Sequence, residues 1–220
     1  MPRVETKRAI LWDNDGVLVD TEKWFFEANR LELAAIGVTA SWAQFAEINL
    51  KRGASLLSLS GLEGDDLRSL YKRRDARYSE LLRTEDLTIP GMLELLGRMQ
   101  KRVFTTGIVT ASHREHFELI HGLSGMLAHV DFAVVREDYP KAKPHPDGYL
   151  AGIARTGLAA RDCIVVEDSP RGIAAAQAAG LECVFFTPGG AGVDQDVGEV
   201  LARPGSAEEL EVVLRQWLRK

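Results

Sequence analysis

The chain has 220 residues, a formal net charge of −5, 45% hydrophobic residues and 27% charged residues. These are globular proportions, which exclude a wholly disordered chain, and the length corresponds to one or two domains. The acidic balance excludes the basic stripe expected of a nucleic-acid or membrane-surface binder.

The start, Met1 to Arg8, is polar, and the apolar run Ala9–Trp12 is cut off by Asp13. No secretory signal or membrane span is therefore expected. Two cysteines, Cys163 and Cys183, each begin an apolar run. They read as buried free thiols, which suits a reducing compartment and a cytoplasmic protein.

In chain order, short apolar runs occur at Ala9–Trp12, Gly107–Thr110, Phe132–Val135, Cys163–Val166 and Cys183–Phe186. Runs of this length beside turn signals predict buried parallel strands. Helical patterns lie between and after them, at Gly91–Gln100, His113–His121, Pro146–Thr156, Pro170–Ala179 and Ala207–Leu218. Alternating strands and helices predict an α/β fold, a Rossmann-like doubly wound parallel sheet. Residues 22–84 break the rhythm. Trp24, Ala28, Leu31 and Ala35 recur at helical spacing, as do Leu67, Leu70, Tyr71, Tyr78, Leu81 and Leu82. This block predicts an inserted α-helical domain at 22–84, with residues 1–21 and 85–220 forming the core. The mixed charges of its second half predict a solvated helix face.

Ligands of open α/β sheets gather at the carboxyl ends of the strands. The first strand runs into Asp13-Asn14-Asp15-Gly16, the second into Thr110-Ala111-Ser112 and the fourth into Glu167-Asp168-Ser169-Pro170. Lys141-Ala142-Lys143-Pro144-His145-Pro146 follows the third. Two carboxylates, a hydroxyl, a lysine and a further acidic pair thus meet at one edge.

The order and spacing of DNDGVLVDTE, the Thr110 segment, KPHPDGYL and VVEDSPRGIAAAQAAG resembles the haloacid dehalogenase superfamily, in particular its phosphatase-like members with a helical cap after the first motif. The resemblance covers nearly the whole chain. It implies a Mg²⁺-dependent phosphomonoester hydrolase acting on a small phosphorylated metabolite, such as a sugar phosphate. It names β-phosphoglucomutase-like phosphomutases, which share all four motifs, as the alternative. A phospho-accepting receiver module is more distant, since it lacks both the second aspartate and the helical insertion.

The residues suit that chemistry. Asp13 can attack phosphorus to form an aspartyl-phosphate, and Asp15 can protonate the leaving oxygen and then deprotonate water. Gly16 permits the tight turn that brings both carboxylates to one point. The oxygen-only cluster suits Mg²⁺. By the resemblance, Asp13 and Asp168 give carboxylates and Asp15 its backbone carbonyl, with Glu167 either a ligand or an outer partner. Thr110, with Ala111 and Ser112, faces a phosphate. Ser112-His113-Arg114-Glu115 also reads as a capping box whose free N–H groups point the same way. By its Lys-Pro-x-Pro context Lys143 is the family's phosphate-neutralising lysine, and Lys141 an exposed neighbour. Ser169 reads as an N-cap ahead of Pro170. Arg52 either reaches a substrate's polar groups or is an exposed charge. The glycine stretch 189–192 reads as a loop and the five histidines as bland. A monomer or weak homo-oligomer is expected, with neither nucleic acid nor membrane as a partner.

Overall fold

The computed structural model describes residues 7–190 and 194–220, which divide into two compact units: Thr21–Leu87 and the rest of the described chain. Ala191 and Gly192 of the glycine stretch, and the first six residues of the polar start, lie outside the described residues. In chain order the elements are β1 (Ala9–Trp12), α1 (Glu22–Ala34), α2 (Trp42–Phe45), α3 (Gly64–Thr84), α4 (Met92–Gln100), β2 (Thr105–Val109), α5 (Arg114–His121), β3 (Phe132–Val134), α6 (Asp147–Thr156), β4 (Cys163–Glu167), α7 (Pro170–Ala178), β5 (Glu182–Phe185) and α8 (Ala207–Trp217). Short 3₁₀ turns connect several of them.

The five strands pair in parallel in the order β3-β2-β1-β4-β5. β1 is apolar throughout because both its faces are covered. Ala9 and Leu11 share a core with Val165 of β4, Tyr149 of α6 and Ile173 of α7. The two-residue alternation of a strand sends Ile10 and Trp12 to the other face. Trp12 keeps its indole N–H satisfied there by donating to Thr106 Oγ1 at 2.7 Å. The order reverses between β1 and β4, since the chain builds β2 and β3 on one side and β4 and β5 on the other. The carboxyl ends of β1 and β4 therefore flank a topological switch point, where open sheets bind ligands.

β2 begins two residues earlier than its apolar run predicts. Thr105 and Thr106 are buried, and their hydroxyls donate to Asp131 Oδ2 at 3.0 Å and to the Ile10 carbonyl at 3.2 Å. A buried polar strand residue is tolerated when it is hydrogen-bonded in this way. Both cysteines are buried and free.

The Thr21–Leu87 unit is helical. α1 packs on α3, around a core of Leu33, Phe45, Leu56, Leu57 and Leu70. Ser41 opens α2 with a capping box, its hydroxyl accepting from the Gln44 N–H and Gln44 Oε1 accepting from the Ser41 N–H. α2 runs on into a π-helical turn at Ala46–Lys51, which no apolar period announces. The charged stretch of α3 is not simply solvated. Arg74 is buried, its guanidinium 4.5 Å from the Phe25 ring centroid and 3.2 Å from Asn29 Oδ1. Buried Glu32 accepts from Arg73 at 3.0 Å and Arg77 at 2.7 Å. Aromatic stacking and paired arginines let these charges leave water. Among the described residues no helix is long and apolar enough to cross a membrane.

Candidate active site

Asp13 continues the β1–β4 ladder, its N–H donating to the Val166 carbonyl at 2.9 Å. The chain then turns sharply. The Asn14 carbonyl accepts from Leu18 N at 2.8 Å and Val19 N at 3.1 Å, and Gly16 N donates to the Val19 carbonyl at 2.8 Å. Gly16 sits at φ +82°, and a Cβ there would lie 1.8 Å from Asp168 Oδ2. Both the conformation and the close approach of the second acidic loop require glycine.

Lys143 is the hub of the buried part. Its ammonium donates to Asp13 Oδ1 at 2.7 Å, Glu167 Oε1 at 2.6 Å and the Val109 carbonyl at 3.3 Å. A lysine has three donors, and all three are used. Glu167, the last residue of β4, is fully buried. Its Oε1 also accepts from the Tyr149 hydroxyl at 2.8 Å, while Oε2 accepts from Asp168 N, Ser169 N and Ser169 Oγ at 3.0, 3.2 and 3.0 Å. Gly172 makes room for this side chain, since a Cβ there would lie 1.7 Å from Glu167 Oε1. Ser169 caps α7 as expected, accepting from Gly172 N at 3.1 Å.

Asp15 is held from the β2 side. Its Oδ2 accepts from Thr110 Oγ1 at 3.1 Å and Ser112 Oγ at 2.6 Å. Thr110 Oγ1 in turn accepts from Ser112 N at 2.9 Å, and exposed Ala111 lies between them. The capping-box expectation at Ser112 is corrected here. The residue before α5 is His113, which makes no side-chain cap, and the Arg114 N–H donates to Glu137 Oε2 at 3.0 Å. The Ser112 hydroxyl donates to Asp15 instead, and the helix starts one residue further on than a Ser112 cap requires.

The charges are unbalanced. Burial pushes Asp13 up to about 8, and repulsion from Glu167 and Asp15 adds to this against the pull of Lys143. Burial by itself would lower Lys143, but Asp13 and Glu167 together hold its ammonium well above the usual range. Carboxylate oxygens of Asp13, Glu167 and Asp168 all lie within 4.8 Å of one another. The Lys143 ammonium thus pairs with two of these three crowded carboxylates, Asp13 and Glu167.

Residues 7–180 match the family model of the haloacid dehalogenase-like hydrolases. The chain belongs to that family. This haloacid dehalogenase-like hydrolase is 31% identical over 185 residues to hexitol phosphatase A of Escherichia coli (strain K12), covering 80% of this chain and 82% of that protein. It is 30% identical over 187 residues to the mitochondrial (DL)-glycerol-3-phosphatase 1 of Arabidopsis thaliana, covering 80% of this chain but 62% of that longer protein. Its fold matches a crystal structure from Thermotoga maritima provisionally named a β-phosphoglucomutase, with TM-score 0.73 and 26% identity, covering 95% of this chain and 99% of that one.

Of the residues singled out in the hydrolase sequence, Asp13, Asp15, Thr110, Ser112, Lys143, Glu167 and Asp168 are brought together at one sheet edge. Lys141 is exposed. Arg52 belongs to the helical unit, where its side chain is 66% exposed and pairs with Glu47 at 2.8 Å. Three contributors are given no role by the motif reading, although Asn14 and Tyr149 lie inside its motifs: Tyr149 on Glu167, Tyr139 donating to the Thr110 carbonyl at 2.9 Å, and Asn14. Tyr149 could have been found as the aromatic of KPHPDGYL that faces the sheet.

Proposed function

We propose that this protein is a Mg²⁺-dependent phosphomonoesterase that acts on a small phosphorylated metabolite, a sugar or polyol phosphate, through an aspartyl-phosphate on Asp13. The observation that carries this reading is the pairing of two differently held carboxylates two residues apart. Asp13 is buried and ion-paired to Lys143 at 2.7 Å, while Asp15 lies in hydrogen-bond reach of Thr110 and Ser112.

The donor set fits a hard cation. It is all oxygen, with three carboxylates clustered within 4.8 Å. Asp13 and Asp168 would hold it with the Asp15 carbonyl. Glu167 stands behind them, because its two oxygens already accept five hydrogen bonds. Bound Mg²⁺ supplies charge neutralisation at the phosphoryl oxygens.

The chain's own residues do the rest. Asp13 attacks phosphorus, and the P–O bond to the alcohol breaks. Asp15 gives its proton to the departing alkoxide, then takes one from the water that hydrolyses the acyl-phosphate. Lys143, Thr110 and Ser112 hold the phosphoryl oxygens. The free buried thiols fit a reducing cytoplasm. The likeness to the structure named a phosphomutase gives transfer to a second sugar phosphate as the alternative fate of the phosphoryl group.

A panel of sugar, polyol and glycerol phosphates assayed for phosphate release tests the reading. Release with Mg²⁺ and none with EDTA is expected. Isomerisation dependent on a hexose bisphosphate, without release, would move the assignment to the mutase, and no reaction with any ester would overturn it.

The charge imbalance also gives a pH signature. A carboxyl whose pKa is raised on folding binds protons more tightly in the native state. Between its unfolded value of 3.8 and about 8, ionising Asp13 therefore works against the fold, and the stability of the metal-free protein falls as pH rises. A cation selects the ionised carboxylate, so the rise in Tm on adding millimolar MgCl₂ is expected to be larger above pH 8 than at about pH 5. Thermal melts at the two pH values decide it, and an equal shift would contradict the assignment of Asp13 as a ligand.

A further inference from the structure

α5 ends at His121, a histidine the reaction scheme above does not use. Its ring is 4% exposed and packs against Phe117 at a centroid distance of 4.6 Å. Both ring nitrogens are engaged. Nε2 lies 2.7 Å from Asn14 Oδ1, and Nδ1 lies 2.9 Å from Ser124 Oγ. Asn14 is fully buried, and its Nδ2 lies 3.3 Å from Asp15 Oδ2. The Ser124 hydroxyl oxygen accepts from the Met126 N–H at 3.1 Å.

With a neutral ring, one placement of hydrogens satisfies both ring nitrogens and Asn14, and gives up only the longer contact of the Ser124 hydroxyl with the His121 carbonyl at 3.5 Å. A carboxylate only accepts, so Asn14 turns its NH₂ to Asp15 and its carbonyl to the imidazole. His121 must then carry its hydrogen on Nε2, and bare Nδ1 accepts from the Ser124 hydroxyl. The ring is neutral, since burial pushes its pKa down to about 4. A chain of donors therefore runs Ser124, His121, Asn14 and ends on Asp15 Oδ2.

We propose that His121 is a positioning residue for Asp15, anchoring Oδ2 through Asn14 so that the proton Asp15 delivers sits on Oδ1. This rests on the phosphomonoesterase reading. Thr110 and Ser112 also donate to Oδ2, but that reading turns their hydroxyls toward the phosphate. Asn14, which faces away from it toward His121, stays a donor to Asp15. An amide held on its far side by a neutral imidazole cannot flip its carbonyl toward the carboxylate without losing a buried hydrogen bond. A carboxyl fixed in this way presents its proton in one direction, which is what positioned acid catalysis requires.

The test compares two leaving groups. p-Nitrophenolate departs without a proton, whereas an alkoxide needs one. Because kcat/KM covers the steps up to departure, it is measured for p-nitrophenyl phosphate and for the best alkyl phosphate of the panel. His121→Ala is expected to lower the alkyl value about tenfold and the aryl value less than about twofold. His121→Gln keeps a donor for Asn14 Oδ1 and restores most of the loss. Asn14→Leu reproduces it, with no further loss in combination with His121→Ala. If His121→Ala does not fold, His121→Gln against Asn14→Leu carries the comparison. Equal losses on both esters, or no loss, overturn the proposal. Imidazole ¹⁵N NMR of the wild type is independent of turnover. A neutral Nε2–H tautomer at pH 7 supports the relay; an Nδ1–H or charged ring overturns it. A wild type that hydrolyses neither ester defeats the phosphomonoesterase reading, and the NMR result still decides the placement of the relay.

Discussion

Replacing Asp13 with asparagine is expected to lower Mg²⁺-dependent phosphate release by at least about 10⁴-fold without lowering the melting temperature near pH 8. The two halves of this expectation have one origin. The asparagine side chain keeps the shape and can still accept from Lys143, but an amide oxygen is not a nucleophile toward a phosphate ester. The charge removed is one the fold holds at a cost, since burial and Glu167 together disfavour ionised Asp13. Glu167 remains to pair with Lys143 at 2.6 Å, so the variant leaves no buried ion unpartnered. Phosphate release and thermal melts on the same preparation separate catalysis from folding. Retained activity would remove Asp13 from the nucleophile's role, and a large fall in Tm near pH 8 would show that ionised Asp13 supports the fold.

How much could be read from the sequence differed between sheet and site. β1 has the bounds its apolar run gives, Ala9–Trp12, because a strand covered on both faces must be apolar at every position. β2 is longer than its run because two threonines find internal acceptors, and hydropathy carries no record of acceptors. The π-helical turn at Ala46–Lys51 has no apolar period to reveal it. Within the site, strand ends are locatable, so the meeting of Asp13, Asp15, Thr110, Lys143 and Asp168 at one edge follows from the alternation of strands and helices. Which atoms touch does not follow. Ser112 serves as well for a cap as for a carboxylate partner until the chain is folded. His121 lies more than a hundred residues from Asn14, and a single histidine on the buried face of an amphipathic helix carries no local mark of its partner. Glu167 shows the same limit from the other side. Its motif position admits either a metal ligand or an outer partner, and the five hydrogen bonds that bear on the choice come from residues the motif does not reveal.

Lys143→Met should be the most damaging substitution to the fold at this site. The lysine stem is as apolar and nearly as long as methionine, so the space is filled and the change is mainly one of charge. Asp13 and Glu167 are left buried without their cation, and removing one partner of a buried ion pair costs about 3–5 kcal/mol. The sign with pH follows from the carboxylates. Without the ammonium that lowers it, Asp13 keeps its proton to still higher pH. The cost is therefore smallest in acid, where Asp13 is protonated, and grows as pH rises past 8. Denaturant unfolding at several pH values measures it, and a loss independent of pH would place the effect in packing. Phosphate release should fall about 10²–10³-fold, as when an electrostatic donor is removed from a reaction centre. Lys143→Arg should not restore it. Nζ meets acceptors at 2.7, 2.6 and 3.3 Å in three directions, and a planar guanidinium cannot reproduce that arrangement in the same buried space. Because Mg²⁺ would bring positive charge to the same carboxylates, it should recover part of the lost stability in Lys143→Met and little of the activity. Stability needs only that the charge be offset, whereas phosphoryl transfer needs a donor at the place the lysine occupies.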